Sequence, residues 1–367
     1  MAKLGEVCLL KAGKFVSAND ISPEYNKGLY PCFGGNGIRG YVADYTHDGE
    51  FPLIGRQGAL CGNVNLASGK FHATEHAVVV QPKIEMNVHW LYYALNAMNL
   101  GQYATGAAQP GLAVSKIETL SIEIPNISEQ NKIAQTLYKV EQLVNFRKQQ
   151  LAKLDELVKA RFVEMFGDCK TNPKNWKTKA LEKIANVGSS KRVFVEELQD
   201  SGIPFYRGTE IGALAEKKAV IPALFITEEH YKQLCETTGK PQKGDLLMPS
   251  ICPDGRIWIV DTDEPFYFKD GRVLWVHLTS ANYNSVFLLY TLKDRIMTDY
   301  ASIASGTTFA ELKIFALKKC KIFDVPLELQ NQFANFVERV DQQKQTVQQS
   351  LEKLELMKKA LMQEYFG

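Results

Sequence analysis

The chain has 367 residues, of which 45% are hydrophobic and 23% are charged, and its formal net charge is +2. That length is enough for two or three domains with buried cores. Because basic and acidic residues nearly balance, composition alone does not indicate a nucleic-acid binder, and any DNA-binding surface must be a local arrangement of cations.

The apolar runs and the cysteines indicate in which cellular compartment the protein is expected. No apolar run approaches the ~20 residues that a membrane-spanning helix needs, and the N-terminus lacks the apolar core of a signal peptide. The seven cysteines are scattered without a Cys-x-x-Cys pair. An odd set without metal-ligand spacing is typical of reduced thiols, so we expect a cytoplasmic protein.

Residues 1–126 predict a first globular unit. Gly34-Gly35-Asn36-Gly37 separates two strand-like runs, 29–33 and 40–45, and predicts a turn between strands. From the spacing of apolar residues we expect further strands over 51–54, 77–81 and 120–124 and a helix over 88–102. A glycine-rich segment, 105–111, precedes the last of these strands.

Residues 168–326 predict a second globular unit. It begins with a polar connector that contains the turn-forming pair Asn172-Pro173. Its end repeats the end of the first unit, with a helical run at 286–300, a segment around Gly306 and an apolar run at 317–325. Because Gly106 and Gly306 are 200 residues apart, the chain is a tandem repeat of a globule followed by a helix.

The helix that closes each repeat is the strongest pattern in the sequence. From Gln130/Gln330 and Asn131/Asn331 to Phe166/Phe366, identities recur at a constant offset of 200 residues. Apolar positions step by four and three from 133 to 165 and from 333 to 365, which is typical of a coiled-coil seam. Neither copy is interrupted by Gly or Pro, and 40 residues at ~1.5 Å each give a helix roughly 60 Å long. We expect the two copies to pair with each other; two unrelated helices on separate cores would leave the shared register unexplained.

Polar residues also occur in this seam, namely Arg147, Arg161, Lys344 and Lys358. Such residues cost stability but can fix register. Alternatively, Arg147 and Lys344, or Arg161 and Lys358, leave the seam and face another protein.

Three motifs suggest catalysis and lack its context. The sequence 35–40 matches G-x-G-x-x-G, but the alternating residues after it predict a strand where phosphate binding needs a helix. The sequence 72–76 matches the zinc-protease pattern H-x-x-E-H, but it runs into a valine-rich strand. The chain has no Pro-Pro pair, which a nucleic-acid aminomethyltransferase signature would contain, and Pro253-Asp254 is not followed by a nuclease-like acidic-x-Lys. We therefore expect a binding protein and not an enzyme.

The order of several short stretches resembles one family over essentially the whole chain. They are Tyr-Pro-Cys-Phe-Gly-Gly-Asn-Gly-Ile at 30–38, Leu-Ile-Gly-Arg-Gln-Gly-Ala at 53–59, Met-Phe-Gly-Asp at 165–168, Asn-Pro-Lys at 172–174, Ile-Pro-Phe-Tyr-Arg-Gly at 203–208 and Lys-Gly-Asp-Leu-Leu at 243–247. In this order they resemble the DNA-specificity subunit of type I restriction–modification systems.

The resemblance implies an α+β fold: two globular mixed α/β target-recognition domains separated by two long helices that form an antiparallel coiled coil, in a pseudo-two-fold tandem repeat. The expected segments are recognition domain 1 at 1–126, the central helix at 127–167, recognition domain 2 at 168–326 and the C-terminal helix at 327–367. Each domain would read one half of a split DNA site. A ~60 Å helix allows reading centres on the order of 10–18 base pairs apart, and unlike domains imply an asymmetric target.

The family's partners are also implied. Two modification subunits would bind S-adenosylmethionine and methylate adenine, and a restriction subunit would use ATP and Mg²⁺. This chain itself would hold no cofactor or metal and would have no catalytic residue.

Residues that could read DNA are cations, amides, hydroxyls and a tyrosine beside predicted turns. We predict Arg39, Tyr41, Arg56, Gln57 and Lys70 in the first domain, and Lys191, Arg192, Arg207, Thr209, Arg256, Arg272, Thr307 and Thr308 in the second. Gly55 and Gly58 would leave room for a phosphate or base beside Arg56. Each of these charges could equally be an exposed, solvated one.

Two other functions remain open at this point. One is a coiled-coil scaffold that carries two sugar- or protein-binding globules. The other is a zinc hydrolase built on His72 and His76.

Overall fold

The computed structural model describes residues 1–106, 110–305 and 310–367, and these form two compact units. Unit 1 comprises Met1–Gln150 and Val347–Gly367, and unit 2 comprises Leu151–Thr346. Each long helix therefore contributes one segment to each unit. The four segment boundaries expected from the sequence stay a prediction, because this division groups each globule with the helical segments that contact it.

Unit 1 contains two four-stranded sheets. Its strands are β1 (Ala2–Lys3), β2 (Cys8–Ala12), β3 (Tyr30–Gly34), β4 (Gly37–Val42), β5 (His47–Asp48), β6 (Phe51–Gly55), β7 (Val64–Ala67), β8 (Lys70–Ala73), β9 (Ala77–Pro82) and β10 (Ser121–Ile122). Its helices are α1 (Leu4–Val7), α2 (Val88–Ala97), α3 (Val114–Glu118), the first part of α4 (Ile127–Phe166) and residues 347–366 of the C-terminal helix. An antiparallel sheet has the order β2-β9-β6-β7, and a mixed sheet has the order β4-β3-β8-β5 with β3 and β8 parallel. The strand β9 is central and its Ala-Val-Val-Val run is buried, as a continuous apolar run in a strand indicates.

Unit 2 repeats this plan. Its strands are β11 (Thr178–Ala180), β12 (Ala185–Gly188), β13 (Ile203–Tyr206), β14 (Phe225–Ile226), β15 (Leu246–Pro249), β16 (Trp258–Ile259), β17 (Tyr267–Phe268), β18 (Val273–Leu278), β19 (Ala304–Ser305), β20 (Glu311–Leu312) and β21 (Lys321–Phe323). Its helices are the last part of α4 (residues 151–166), α5 (Gly208–Ala215), α6 (Glu228–Thr238), α7 (Ser285–Ile303), α8 (Ile314–Lys318) and the first part of α9 (Leu327–Phe366). The sheet β12-β18-β15-β16 corresponds to β2-β9-β6-β7, and β14-β13-β17 corresponds to part of the mixed sheet of unit 1. The tandem repeat and the α+β class are thus confirmed.

A buried glutamine fixes the start of each long helix to its globule. Gln130 Oε1 accepts a hydrogen bond from the backbone of Asn87 at 2.9 Å, and Gln330 Oε1 accepts one from Asn284 at 2.9 Å. Asn87 and Asn284 cap α2 and α7. The neighbouring Asn131 and Asn331 accept from the side-chain amides of the same capping residues at 2.7 and 2.9 Å. This shared anchor is the physical reason for the Gln-Asn identities at an offset of 200 residues.

The seam residues of the long helices are at least partly buried, as their spacing predicts. Every position of the four-and-three series, from 133 to 165 and from 333 to 365, is buried or half-buried. In unit 1, Lys358 Nζ lies 2.7 Å from Glu141 and Lys148 Nζ lies 2.9 Å from Glu355. Because one residue number rises as its partner's falls, these segments run antiparallel.

In unit 2, Lys344 Nζ lies 2.5 Å from Asp155 and the rings of Phe162 and Phe333 are 5.5 Å apart. The pairing of the two copies is therefore confirmed within each unit, and supercoiling of the helices stays a prediction. The seam cations Lys344 and Lys358 bind acids of the other helix, whereas Arg161 binds Glu164 on its own helix at 2.8 Å.

Short elements differ from their sequence predictions. The helix expected over 88–102 ends at Ala97, because Asn99 has a positive φ of 45° and a 3₁₀ turn, Leu100–Tyr103, follows. The strand expected over 120–124 is only Ser121–Ile122, after a short helix that five residues are too few to reveal by periodicity. The run 317–325 likewise begins in α8 and becomes the strand β21.

Candidate nucleic-acid interface

In unit 1, two segments meet beside the turn between β3 and β4. A Cβ on Gly55 would lie 1.8 Å from the carbonyl oxygen of Gly35, so the end of β6 packs directly on this turn. The carbonyl of Arg56 accepts a hydrogen bond from the backbone N–H of Leu112 at 2.9 Å. We call the surface formed by the turn 34–37 with residue 39, the loop 56–63 and the segment 110–112 surface 1.

Surface 1 carries the groups that protein–DNA contacts use. Arg39 and Gln57 are exposed, and Arg56 is half-buried with no hydrogen-bond partner for its Nε among the described residues. Two exposed amides lie at its tip, where Asn63 Nδ2 donates to Asn36 Oδ1 at 2.6 Å. Sequence reasoning missed this amide pair, although asparagine next to the glycine turn was a usable signal.

The two glycines beside Arg56 have different roles. The space at Gly55 is filled by the backbone of Gly35. Gly58 has a φ of +90°, and among the residues that the structure describes a Cβ there would meet nothing within 4 Å. The room for a phosphate or base beside Arg56 stays a prediction, and only the Gly58 side is compatible with it.

Tyr41 and Lys70 lie elsewhere on the mixed sheet. Tyr41 is on the edge strand β4, and its ring packs edge-to-face on Tyr25 with centroids 5.4 Å apart. Lys70 begins β8, two strands away from β4, and its Nζ lies 4.7 Å from the centre of the Tyr45 ring. The structure thus does not bring either residue to Arg56.

In unit 2, the start of α5 lies against two other segments. A Cβ on Gly208 would be 3.3 Å from the carbonyl oxygen of Arg272. The same carbonyl accepts from the backbone N–H of Ser250 at 2.9 Å, and the carbonyl of Ser250 accepts from Leu312 at 2.7 Å. We call the surface formed by 191–192, 207–212, 250–256, 270–272 and 311–312 surface 2.

Surface 2 gathers the predicted cations, and four of them have an acidic partner. The pairs are Arg207 with Glu210 at 2.6 Å, Arg256 with Asp254 at 2.8 Å, Arg192 with Asp270 at 3.5 Å, and Arg272 with Glu311. Lys191 is exposed beside Arg192. Since a paired cation contributes less long-range attraction than a free one, surface 2 is suited more to oriented contacts than to general attraction.

Glu210 is held ionised by its neighbours. Burial opposes its ionisation, but the hydrogen bonds donated by Arg207 and Thr209 outweigh burial and lower the pKa of Glu210 to about 2. Thr209 Oγ1 donates to Glu210 Oε2 at 2.9 Å. Thr209 therefore contacts the acid that holds Arg207, a link that the sequence does not reveal. Thr307 and Thr308 lie outside the described residues.

The motifs that suggested enzymes have non-catalytic geometry. The G-x-G-x-x-G sequence forms the turn and the strand β4, so no helix N-terminus follows it to bind phosphate. His72 lies in β8 with its Nε2 3.1 Å from the carbonyl oxygen of Lys14, and the residues to His76 form a turn rather than a helix. Across 1–106, 110–305 and 310–367, no three His, Cys, Asp or Glu residues are grouped to hold a metal ion. Over the same residues, no helix combines the length and apolarity needed to cross a membrane.

Comparison of the sequence with known families shows the family of this chain. The sequence model of the type I restriction modification DNA specificity domain matches residues 1–156 and 173–356. The match takes in most of both repeats, so the chain belongs to this family of DNA-specificity proteins.

Individual proteins that are similar to this chain are named as type I specificity subunits. The chain is 52% identical over 143 residues to the type I restriction enzyme EcoprrI specificity subunit of Escherichia coli, a match that covers 39% of this chain and 36% of that protein. It is 28% identical over 340 residues to the putative type I restriction enzyme specificity subunit S.HindORF215P of Haemophilus influenzae, over 86% of this chain and 80% of that protein. The crystal structure of the type I restriction-modification S subunit from M. genitalium has the same fold, with a TM-score of 0.65 at 18% identity over 100% of this chain and 95% of that one.

Proposed function

We propose that the chain is the DNA-specificity subunit of a type I restriction–modification system and has no catalytic site of its own. The family match across both repeats carries this proposal. Surfaces 1 and 2 support it, because both expose Arg together with amide or hydroxyl side chains, the groups that contact phosphates and base edges.

Each unit would read one half of an asymmetric split site. The two units share a strand order but not their surface chemistry. Surface 1 presents Arg39, Gln57 and the Asn36–Asn63 amide pair, whereas surface 2 presents four acid-paired arginines. Different donors and acceptors select different base pairs, so the two half-sites should differ.

The long helices would dock the partners. Several large apolar side chains on α4 and α9 point away from the seam and are exposed: Tyr138, Leu143, Phe146, Leu157, Leu356 and Met357. Exposed apolar groups of this kind favour protein contacts. The partners would be two modification subunits that use S-adenosylmethionine to methylate adenine and restriction subunits that use ATP and Mg²⁺, all in the cytoplasm. This chain would supply no cofactor-binding residue.

Selection from a random DNA library by the chain bound to its modification subunits tests this function. Enrichment of a split motif with a fixed gap is the expected result. A single continuous motif would mean that only one unit reads DNA. The absence of enrichment even at low salt would favour the scaffold with sugar- or protein-binding globules, because phosphate contacts strengthen as salt falls. Stoichiometric zinc that is lost on changing His72 and His76 would favour the hydrolase.

A further inference from the structure

Arg207 is held in one orientation by a single carboxylate. Its Nε donates to Glu210 Oε2 at 3.2 Å and its Nη2 donates to Glu210 Oε1 at 2.6 Å. The backbone N–H of Arg207 donates to the same carboxylate at 2.9 Å. The Arg207 side chain is 47% exposed, whereas the Glu210 side chain is only 14% exposed. The acid thus lies beneath the guanidinium and leaves its outer edge open.

The donors that remain on Arg207 have a defined geometry. A guanidinium has five N–H groups in a planar fork, and Glu210 accepts from the Nε group and from Nη2. The two groups at the outer end, one on Nη1 and one on Nη2, are parallel, and neither donates a hydrogen bond to a residue that the structure describes. A parallel pair of donors matches the O6 and N7 acceptors of guanine in the major groove.

The helix that carries this pair is anchored in the core. Ile211, one residue after Glu210, is fully buried in a cluster with Leu247 and Trp258. Arg256 packs closely on the helix at Gly212. A Cβ on Gly212 would lie 3.0 Å from Arg256 Nη1, so the absence of a side chain allows this contact. A fixed backbone and a fixed side chain reduce the entropy lost when Arg207 binds, which favours specific contacts.

The charge of the pair favours base reading over phosphate binding. Arg207 and ionised Glu210 together have no net charge, so they add little counterion release when DNA binds. An unpaired charge increases the affinity of a side chain for phosphate, whereas a fixed orientation increases its specificity for a base. The side chain of Arg207 is paired and oriented, so it is suited to contact a base.

We propose that Arg207 reads one guanine in the half-site of unit 2, with Glu210 as the positioning residue that sets the direction of its fork. This inference rests on the proposed DNA-specificity function and assigns a base to one residue of that surface. Thr209 supports Glu210 through its hydroxyl hydrogen bond.

The test compares base preferences of the full chain in complex with its modification subunits. The variants are Arg207→Lys, which keeps the charge but loses the fork, Arg207→Ala, and Glu210→Gln. Lys179→Ala is the matched control, because Lys179 is also an acid-paired cation of unit 2, 3.0 Å from Asp324 and 46% exposed, but lies on β11 outside surface 2. Each protein is put through the same random-library selection.

Both Arg207 variants should lose the preference for guanine at one position of one half-site, by between about 5-fold and about 150-fold. All other positions, including the whole other half-site, should keep their preferences. Glu210→Gln should weaken the same preference and no other, and Lys179→Ala should select the motif of the unchanged protein.

Three results would overturn the inference: an unchanged guanine preference in Arg207→Lys and Arg207→Ala, an equal loss of affinity for all sequences, or the same change in Lys179→Ala. In each of these cases the unchanged protein still selects a split motif and the proposed function stands. Failure of the unchanged protein to select any motif would instead refute the proposed function.

Discussion

Replacing Gln330 with Ala should remove the anchor between α9 and unit 2. Gln330 is fully buried, accepts from Asn284 at 2.9 Å and donates to the carbonyl of Val325 at 2.9 Å. It also donates to the carbonyl of Asn282 at 3.1 Å, but Asn282 is exposed and water can replace this bond. The substitution therefore leaves one N–H and one C=O without a partner in or near the core.

Each unsatisfied buried group costs about 1–3 kcal/mol. With two such groups, the expected loss of unfolding free energy is about 2–6 kcal/mol, and the melting temperature should fall by roughly 4–24 °C for a unit of this size. The assay is thermal and urea unfolding of the full chain. Gln342→Ala is the control, because Gln342 is on the same helix with an exposed side chain, and it should change stability by less than about 0.5 kcal/mol.

The equivalent substitution in unit 1, Gln130→Ala, should have a cost of the same order, since Gln130 accepts from Asn87 at 2.9 Å and donates to the carbonyl of Pro125 at 2.8 Å. If Gln330→Ala behaved like Gln342→Ala, the buried amide would not be an anchor and the repeat of these residues would need another explanation.

Four further predictions concern charge, spacing and burial. Arg39 is exposed on surface 1, so Arg39→Ala should weaken binding to all DNA sequences and lower the salt slope of affinity by about 1. An unchanged slope would show that Arg39 does not contact a phosphate. A heptad inserted into both long helices adds ~10.5 Å and should widen the gap between half-sites by ~3 base pairs in library selection, and an unchanged gap would refute the idea that the helices set the spacing. The pKa of Glu210 is lowered from 4.5 to about 2, so its ionised form stabilises the fold above pH 4.5 and this contribution is lost as the pH falls toward 2; Glu210→Gln should flatten that part of the stability–pH profile, and an identical profile would mean that the pair contributes nothing. Burial raises the pKa of Cys8 to about 11, and of the seven thiols only Cys235 is not buried, so a thiol reagent at pH 8 should modify one cysteine per folded chain quickly; several fast thiols would contradict the buried cores.

The candidate site was only partly predictable. The sequence indicated Arg56 and Gln57 from the glycines around them, and both lie on surface 1. It indicated Arg207 and Arg272 as separate cations, and the structure places the carbonyl of Arg272 against the residue that follows Arg207. It did not indicate the acidic partners, because the sequence does not show which acidic residue the fold places beside an arginine.

The sequence by itself determined the long helices, their register and the tandem repeat. These properties are local, since four-and-three spacing, the absence of Gly and Pro and a constant offset of 200 residues can be read along the chain. Gln130 and Gln330 were visible as identities, but their role as buried anchors required their contacts with Asn87 and Asn284.

Only the tertiary structure decided which surface side chains act together. Asn36 and Asn63 are 27 residues apart, and Arg272 and Glu311 are 39 residues apart. Such contacts depend on how strands cross within a sheet and how loops close over it, and no periodicity in the sequence records that path. The repeats in the sequence therefore reveal the architecture, whereas the packing of the folded units decides which side chains meet on surfaces 1 and 2.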